Sequence, residues 1–246
     1  MTRAFDPPYT PLVRRDTDLA AHGFALLGAA DVREWLATDA SELEQLHRAW
    51  NDLPADGYLR DGGRYRRRRH SCFVVEGAAV TEAPHRAHWQ PLEYNALHGG
   101  MQRWFEPMEP ATTANPLWQR ILVRVGEAVS ALHGDRPWFV EAHPFRIDTT
   151  DGIGRPTPEG AHRDGVDLVA VFMLERHDIK GGESRVFEAD GPAGQRFTLT
   201  DPWSLVLLDD ARVIHETTPI QPLAQDQLGW RDTLVLTYRR NGFQGD

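Results

Sequence analysis

The sequence predicts a mainly β protein with flanking α-helices, its core a double-stranded β-helix, that is, a jelly roll of the cupin-like kind. Three observations carry that prediction. From Trp138 onward the chain reads as eight short strands, near 138–148, 160–164, 166–175, 183–188, 196–200, 204–208, 211–217 and 231–239. Gly181-Gly182, Asp190-Gly191 and Asp201-Pro202 punctuate them with turn chemistry. The stretch before Trp138 carries helical periodicity instead. At 246 residues the chain has length for one substantial core, so the expected organisation is a single domain over 1–246. Within it, 1–137 is a mainly helical part that packs on a β-helix core at 138–246.

The helical elements follow from caps and spacing. Asp31-Val32-Arg33-Glu34 has the spacing of a capping box, and Val32, Trp35, Leu36, Leu43 and Leu46 suggest one helix or two short ones. A helix interrupted by Gly99-Gly100 is expected between Tyr94 and Phe105. The clearest helix opens with Asn115 as N-cap and Pro116 at its first position. Leu117, Ile121, Val125, Ala128, Val129 and Leu132 line one face, and Gly134 supplies the stop. Such a helix is a brace against the outside of a sheet.

Bulk properties narrow the function classes. A formal net charge of −9 and a pI near 5.6 argue against nucleic acid or anionic membrane as a general partner. The single cysteine, Cys72, leaves no intrachain disulfide framework and suits a reducing compartment. Met1 to Asp16 carries charges and prolines where a leader needs an apolar run, and no apolar stretch approaches the roughly 20 residues of a span. A soluble cytoplasmic protein is expected.

The chemistry concentrates in His162-Arg163-Asp164, answered by His215 and then Arg231. Residues two apart on a strand share a face, so His162 and Asp164 are expected to project inward while Arg163 points away. Gly160 and Gly165 flank the pair and permit a close approach and a bend. Two imidazoles and one carboxylate form a facial triad with open positions, suited to Fe(II), Mn(II) or Co(II). Taken alone, His-x-Asp reads as a pair of surface polar residues and His215 as a satisfied core histidine; the ordered set in a β-rich half favours the metal. Arg231, Thr233, Val235 and Thr237 then alternate on one strand face. A guanidinium fork matches a carboxylate, and the threonine hydroxyls add donors. The alternative for Arg231 is an ion pair with Asp209 or Asp210.

Residues 158–239 resemble the Fe(II)/2-oxoglutarate-dependent dioxygenases, and within them the small bacterial amino-acid hydroxylase branch that includes L-isoleucine dioxygenase. The resemblance rests on residues 158–167, Gly181-Gly182-Glu183-Ser184-Arg185-Val186, residues 208–215 and Trp230-Arg231-Asp232. It implies His162, Asp164 and His215 as catalytic iron ligands, Arg231 as the 2-oxoglutarate anchor, to which the strand face adds Thr233 and Thr237, and Fe(II), 2-oxoglutarate and O2 as cofactor and cosubstrates. The implied reaction hydroxylates a free amino acid or small derivative, releasing succinate and CO2. Arg163 stands where that branch often has Gln. Asp164 argues against a halogenase, which needs the carboxylate position vacated.

Arg146, on a strand just before the triad, is a candidate for a substrate carboxylate, with a structural ion pair as its rival. Glu159 and Asp167 bracket the triad and are candidates for a substrate ammonium, or else loop charges. The basic run from Arg64 to His70 reads as an edge strand with one side toward the active-site mouth, bringing Tyr65 and Arg66 to substrate. Nucleic acid is disfavoured for that run, because the demethylase relatives resemble one another in a second Arg where Thr237 stands here. His22, His47, His70, His85, His88, His98, His133, His143 and His177 lack ligand spacing. A cupin-like metalloenzyme without an oxoacid and a non-catalytic jelly-roll module remain the alternatives.

Overall fold

A computed structural model describes residues 5–95 and 97–245. Met1 to Ala4, where the leader reading begins, lie outside the described residues, as does Ala96 within the expected 94–105 helix. Thirteen strands are described: β1 (Phe24–Leu27), β2 (Arg66–Arg68), β3 (Ser71–Glu76), β4 (Ala79–Glu82), β5 (Trp138–Asp148), β6 (Leu168–His177), β7 (Ile179–Gly181), β8 (Ser184–Glu188), β9 (Gly194–Phe197), β10 (Ser204–Asp209), β11 (Val213–Thr217), β12 (Ile220–Pro222) and β13 (Trp230–Arg239). With them come helices α1 (Arg15–His22), α2 (Ala29–Leu36), α3 (Ala40–His47), α4 (Pro110–Thr113) and α5 (Pro116–His133).

The major sheet runs β1-β10-β6-β13-β5-β3-β4, with β2 also on β5. A three-stranded sheet, β11-β8-β9, and a β12-β7 pair complete the rolled core. Period-two alternation gives the major sheet two different faces. Trp138, Val140 and Ala142 of β5 join Leu234, Leu236 and Tyr238 of β13 in the cluster that packs on the helices. The opposite face carries Val169, Met173, Val206 and Leu208, which meet Val186, Phe197 and Val213 of the small sheet. Between the two sheets the apolar packing gives way to a cavity.

The brace helix is where its caps put it. Asn115 Oδ1 accepts the Leu117 N–H at 2.8 Å, Gly134 ends α5, and Tyr238 Oη donates to the Leu122 carbonyl at 2.7 Å, tying helix to sheet. Other local expectations are corrected. Asp31 is not a cap; α2 starts at Ala29, and Asp31 accepts the Leu12 N–H at 3.1 Å, while Asp39 caps α3 through the Ser41 and Glu42 N–H groups. No helix forms between Tyr94 and Phe105 among the described residues, which instead make turns and a short bridge at Arg103. The helical first half also contributes β1 to β4, because short alternating runs pair with the sheet edges and with β5. No described helix is long and apolar enough to cross a membrane.

Candidate metal centre

His162 and His215 meet through a two-bond backbone bridge, His162 N–H to His215 O at 3.0 Å and the reverse at 2.9 Å. The 160–164 strand expected from sequence is only this bridge. Gly160 at φ +82° and Gly165 at φ +76° turn the backbone on either side and prevent a longer ladder. A Cβ on Gly165 would also lie 2.3 Å from the Tyr94 ring. Asp210 fixes the exit from the turn, its carboxylate accepting the N–H groups of Asp164, Gly165 and Val166 at 2.9, 2.8 and 3.1 Å. Gln244 adds a hydrogen bond of 2.7 Å to the Asp164 carbonyl. Arg163 points away, donating to the Ala211 carbonyl.

The side chains converge. His162 Nε2 lies 3.7 Å from Asp164 Oδ1, and His215 Nε2 lies 3.8 Å from Asp164 Oδ2. Two ligand bonds of about 2.1 Å bridge at most about 4.2 Å, so either pair can share one ion. Ligand atoms of all three residues lie within 4.8 Å of one another. His162 Nδ1 faces the Gly160 carbonyl at 2.9 Å, an arrangement that leaves Nε2 as the lone-pair donor. Burial drives the His215 pKa down to about 3, with the neighbouring His162 adding to the effect, so its ring is neutral. Burial opposes charge on His162 as well, but the Asp164 and Glu159 carboxylates outweigh it and raise its pKa. Two neutral-capable imidazoles and a carboxylate facing one centre are the donor set of a divalent cation.

Arg231 lines the same cavity as these donors, with Thr233, Val235 and Thr237 beside it along β13. Arg231 is 4% exposed, its guanidinium has no ion pair among the described residues, and Nε is buried without a partner. Burial presses its pKa down to about 9, with Arg176 adding to the depression. An unpaired buried guanidinium is costly unless an anion joins it. The alternative, an ion pair with Asp209 or Asp210, does not occur among the described residues, and Asp210 is spent on the Asp164 turn.

Register separates the remaining candidates. Arg231 stands opposite Ile147, which puts Glu141, His143, Phe145 and Ile147 of β5 on the cavity side and Arg146 on the other. Arg146 is therefore corrected to the helix side, where it forms two hydrogen bonds of 2.7 and 2.6 Å with buried Asp232. Asp167 also lies outside the cavity wall, held by the Arg240 side chain and its N–H. Tyr65 is fully buried and donates to Asp61 at 2.7 Å, away from the cavity. Glu159 and Arg66 do line it.

Sequence reasoning missed much of the wall: Arg68, His88, Gln90, Arg103, Glu141, His143 and Gln244. His70, His88, Glu141 and His143 place donor atoms as close together as the triad does. Yet His70 and His88 are 2.9 and 2.6 Å from Glu141 Oε2, and Arg68 donates to His143 at 2.6 Å. Those are hydrogen-bond separations, and a guanidinium against His143 repels a cation. The group is a buried polar network. Burial lowers the His88 pKa to about 3 against the pull of Glu141; burial likewise opposes charge on Glu141, but His88 and His70 keep it ionised.

A sequence profile of the family described as 2OG-Fe dioxygenase matches residues 47–237. The chain belongs to that family. Family members use Fe(II), 2-oxoglutarate and O2, and the chain is a non-haem iron oxygenase. A crystal structure described as a bsmA homologue from Methylobium petroleophilum PM1 is 47% identical, covers 100% of this chain and 99% of its own, and superposes with a TM-score of 0.91. IDO from Bacillus thuringiensis shares the fold at 16% identity and TM-score 0.76, covering 94% of this chain and 100% of its own. The Fe(II)/α-ketoglutarate-dependent dioxygenase TqaL shares it at 18% identity and TM-score 0.74, over 95% of this chain and 88% of its own. No curated protein matches the sequence.

Proposed function

We propose that this 2OG-Fe dioxygenase hydroxylates a free amino acid or small amino-acid derivative, with Fe(II) held by His162, Asp164 and His215 and 2-oxoglutarate anchored by Arg231. The observation that carries the reading is the convergence of those three donors in the cavity that also receives the unpaired Arg231 guanidinium. Bound iron supplies the activation of O2 that is coupled to oxidative decarboxylation of 2-oxoglutarate.

The chain's own residues do the rest. Asp210 holds the turn that aims Asp164, and Gln90 Nε2 donates to Asp164 Oδ1 at 3.1 Å, fixing the carboxylate rotamer. Arg231 offers a fork to a distal carboxylate, with the Thr233 and Thr237 hydroxyls on the same face. Glu159 lies 3.5 Å from His162 and buries Oε2 without a partner, which makes it the acceptor for a substrate ammonium. Val166, Val171 and Val235 give the cavity an apolar side for an aliphatic chain.

Purified protein with Fe(II), ascorbate and 2-oxoglutarate should form succinate faster when an amino-acid pool is added, with a product heavier by one oxygen atom. Acceleration by amines or sugars and none by amino acids would contradict the substrate class. No 2-oxoglutarate turnover under any condition would contradict the metal-site assignment.

A further inference from the structure

Besides Arg231, two guanidiniums in the cavity wall lack the partner that burial normally requires. Arg68 and Arg103 are 3% and 2% exposed. Buried Arg66 and part-buried Arg146 each have a carboxylate, Asp56 and Asp232. Arg68 and Arg103 have none at ion-pair distance among the described residues. Arg68 donates to neutral His143 and Arg103 to the Gln90 amide at 2.9 Å, while each buries Nε unsatisfied. Glu141 on the same wall is already engaged by His70 and His88.

Several features make this a built site. Phe105 and Phe145 lie 3.9 and 4.4 Å from the Arg68 guanidinium carbon and fix its plane. Gln90 spans the gap to the metal centre, accepting from Arg103 with Oε1 and donating to Asp164 with Nε2. Two hydrogen bonds and the amide bonds between them put Arg103 Nη2 within about 9 Å of Asp164 Oδ1. An anion held there sits one side chain from the iron position. Burial, with repulsion from neighbouring Arg66, lowers the pKa of both arginines, Arg103 to about 10, so the free site favours an anion.

We propose that Arg68 and Arg103 form the subsite for the carboxylate of the organic substrate, the role that sequence position suggested for Arg146. The proposal rests on the oxygenase reading and adds the substrate class: a small carboxylic acid with its aliphatic carbons turned toward the iron, in which the free acid group is required. Beside Arg68 and Arg103 the positive charge comes from guanidinium, because burial holds His88 and His143 neutral. The same chemistry admits a rival anion, a carboxylate of 2-oxoglutarate itself.

The test compares L-leucine, L-isoleucine, L-methionine and L-glutamine with their primary amides, by calorimetric titration of the full chain loaded with Mn(II) and 2-oxoglutarate. At least one acid should bind about 30-fold or more tightly than its amide, since the amide leaves a buried cation unpaired. R68M and R103M should erase most of that preference while the KM for 2-oxoglutarate stays within about twofold. R103K, which keeps a charge, should restore part of the preference. Equal binding of acid and amide, or binding of neither, overturns the inference. So does weakened 2-oxoglutarate binding with acid affinity intact, which would assign the pair to the cosubstrate. If R68M and R103M fail to fold, the acid and amide comparison on the unaltered protein decides alone. Substrate-free consumption of 2-oxoglutarate, measured in parallel, tests the oxygenase reading separately: its presence with no acid preference sinks only the inference.

Discussion

Replacing Arg231 with Met separates a cosubstrate anchor from a structural arginine. The guanidinium is buried, carries no ion pair among the described residues, and has its pKa pressed down to about 9. Removing one partner of a buried, hydrogen-bonded charge pair costs about 2–5 kcal/mol. At about 1.4 kcal/mol per factor of ten, R231M should weaken 2-oxoglutarate binding by roughly 30- to 4000-fold. In the free protein the same change removes an uncompensated buried charge, which is neutral or stabilising. Titration calorimetry of Mn(II)-loaded protein with 2-oxoglutarate gives the first quantity, and thermal melting without 2-oxoglutarate gives the second. The expected pair of results is a large loss of affinity with an unchanged or raised Tm. A 2-oxoglutarate Kd within about threefold of the starting value, or a marked fall in Tm, would refute the reasoning and make Arg231 structural.

Other perturbations follow from the same geometry. D210N leaves a weaker acceptor for the three N–H groups that aim Asp164, so metal affinity and turnover should fall about 10- to 100-fold, measured by metal titration and initial rates. D232A strands the Arg146 guanidinium on the helix side and should cost about 3–5 kcal/mol, lowering Tm by roughly 6–20 °C in a chain of this size, with the KM for 2-oxoglutarate unchanged. Acid should destabilise the protein early. His88, with a folded pKa near 3 against the ordinary 6.5, binds its proton only when unfolded. Its stabilising contribution is therefore complete above pH 6.5 and is lost at up to about 1.4 kcal/mol per pH unit as pH falls toward 3. Buried His70 and His143 act in the same direction. Chemical denaturation between pH 7 and 5 should show this slope, and H88F should flatten it.

How much of this was legible in the sequence depends on whether the signal was local. Strand 138–148 and helix 116–133 were readable because alternation, caps and stops sit within each segment. The convergence of His162, Asp164 and His215 was readable because a short His-x-Asp turn and one residue of the later strand β11 supply all three donor atoms. Arg146 was misplaced because its face is fixed by which residue of β13 stands opposite it, and that register is not written in residues 143–147. The same register turned Glu141 and His143 inward. Arg68 belonged to a basic run whose alternation was visible, yet only pairing of β2 with β5 shows that Arg66 and Arg68 face the cavity while Arg67 faces out. Gln90 and Arg103 come from irregular chain with no period to read. The Asp31 capping box failed because Gly28 opens the helix earlier and the Leu12 N–H claims that carboxylate.

The most direct measurement is anomalous diffraction at the iron edge from crystals equilibrated anaerobically with Fe(II). A single strong peak at about 2.0–2.2 Å from His162 Nε2, His215 Nε2 and an Asp164 oxygen is the expected result. A peak among His70, His88, Glu141 and His143 instead, or no peak at either place, would contradict the account.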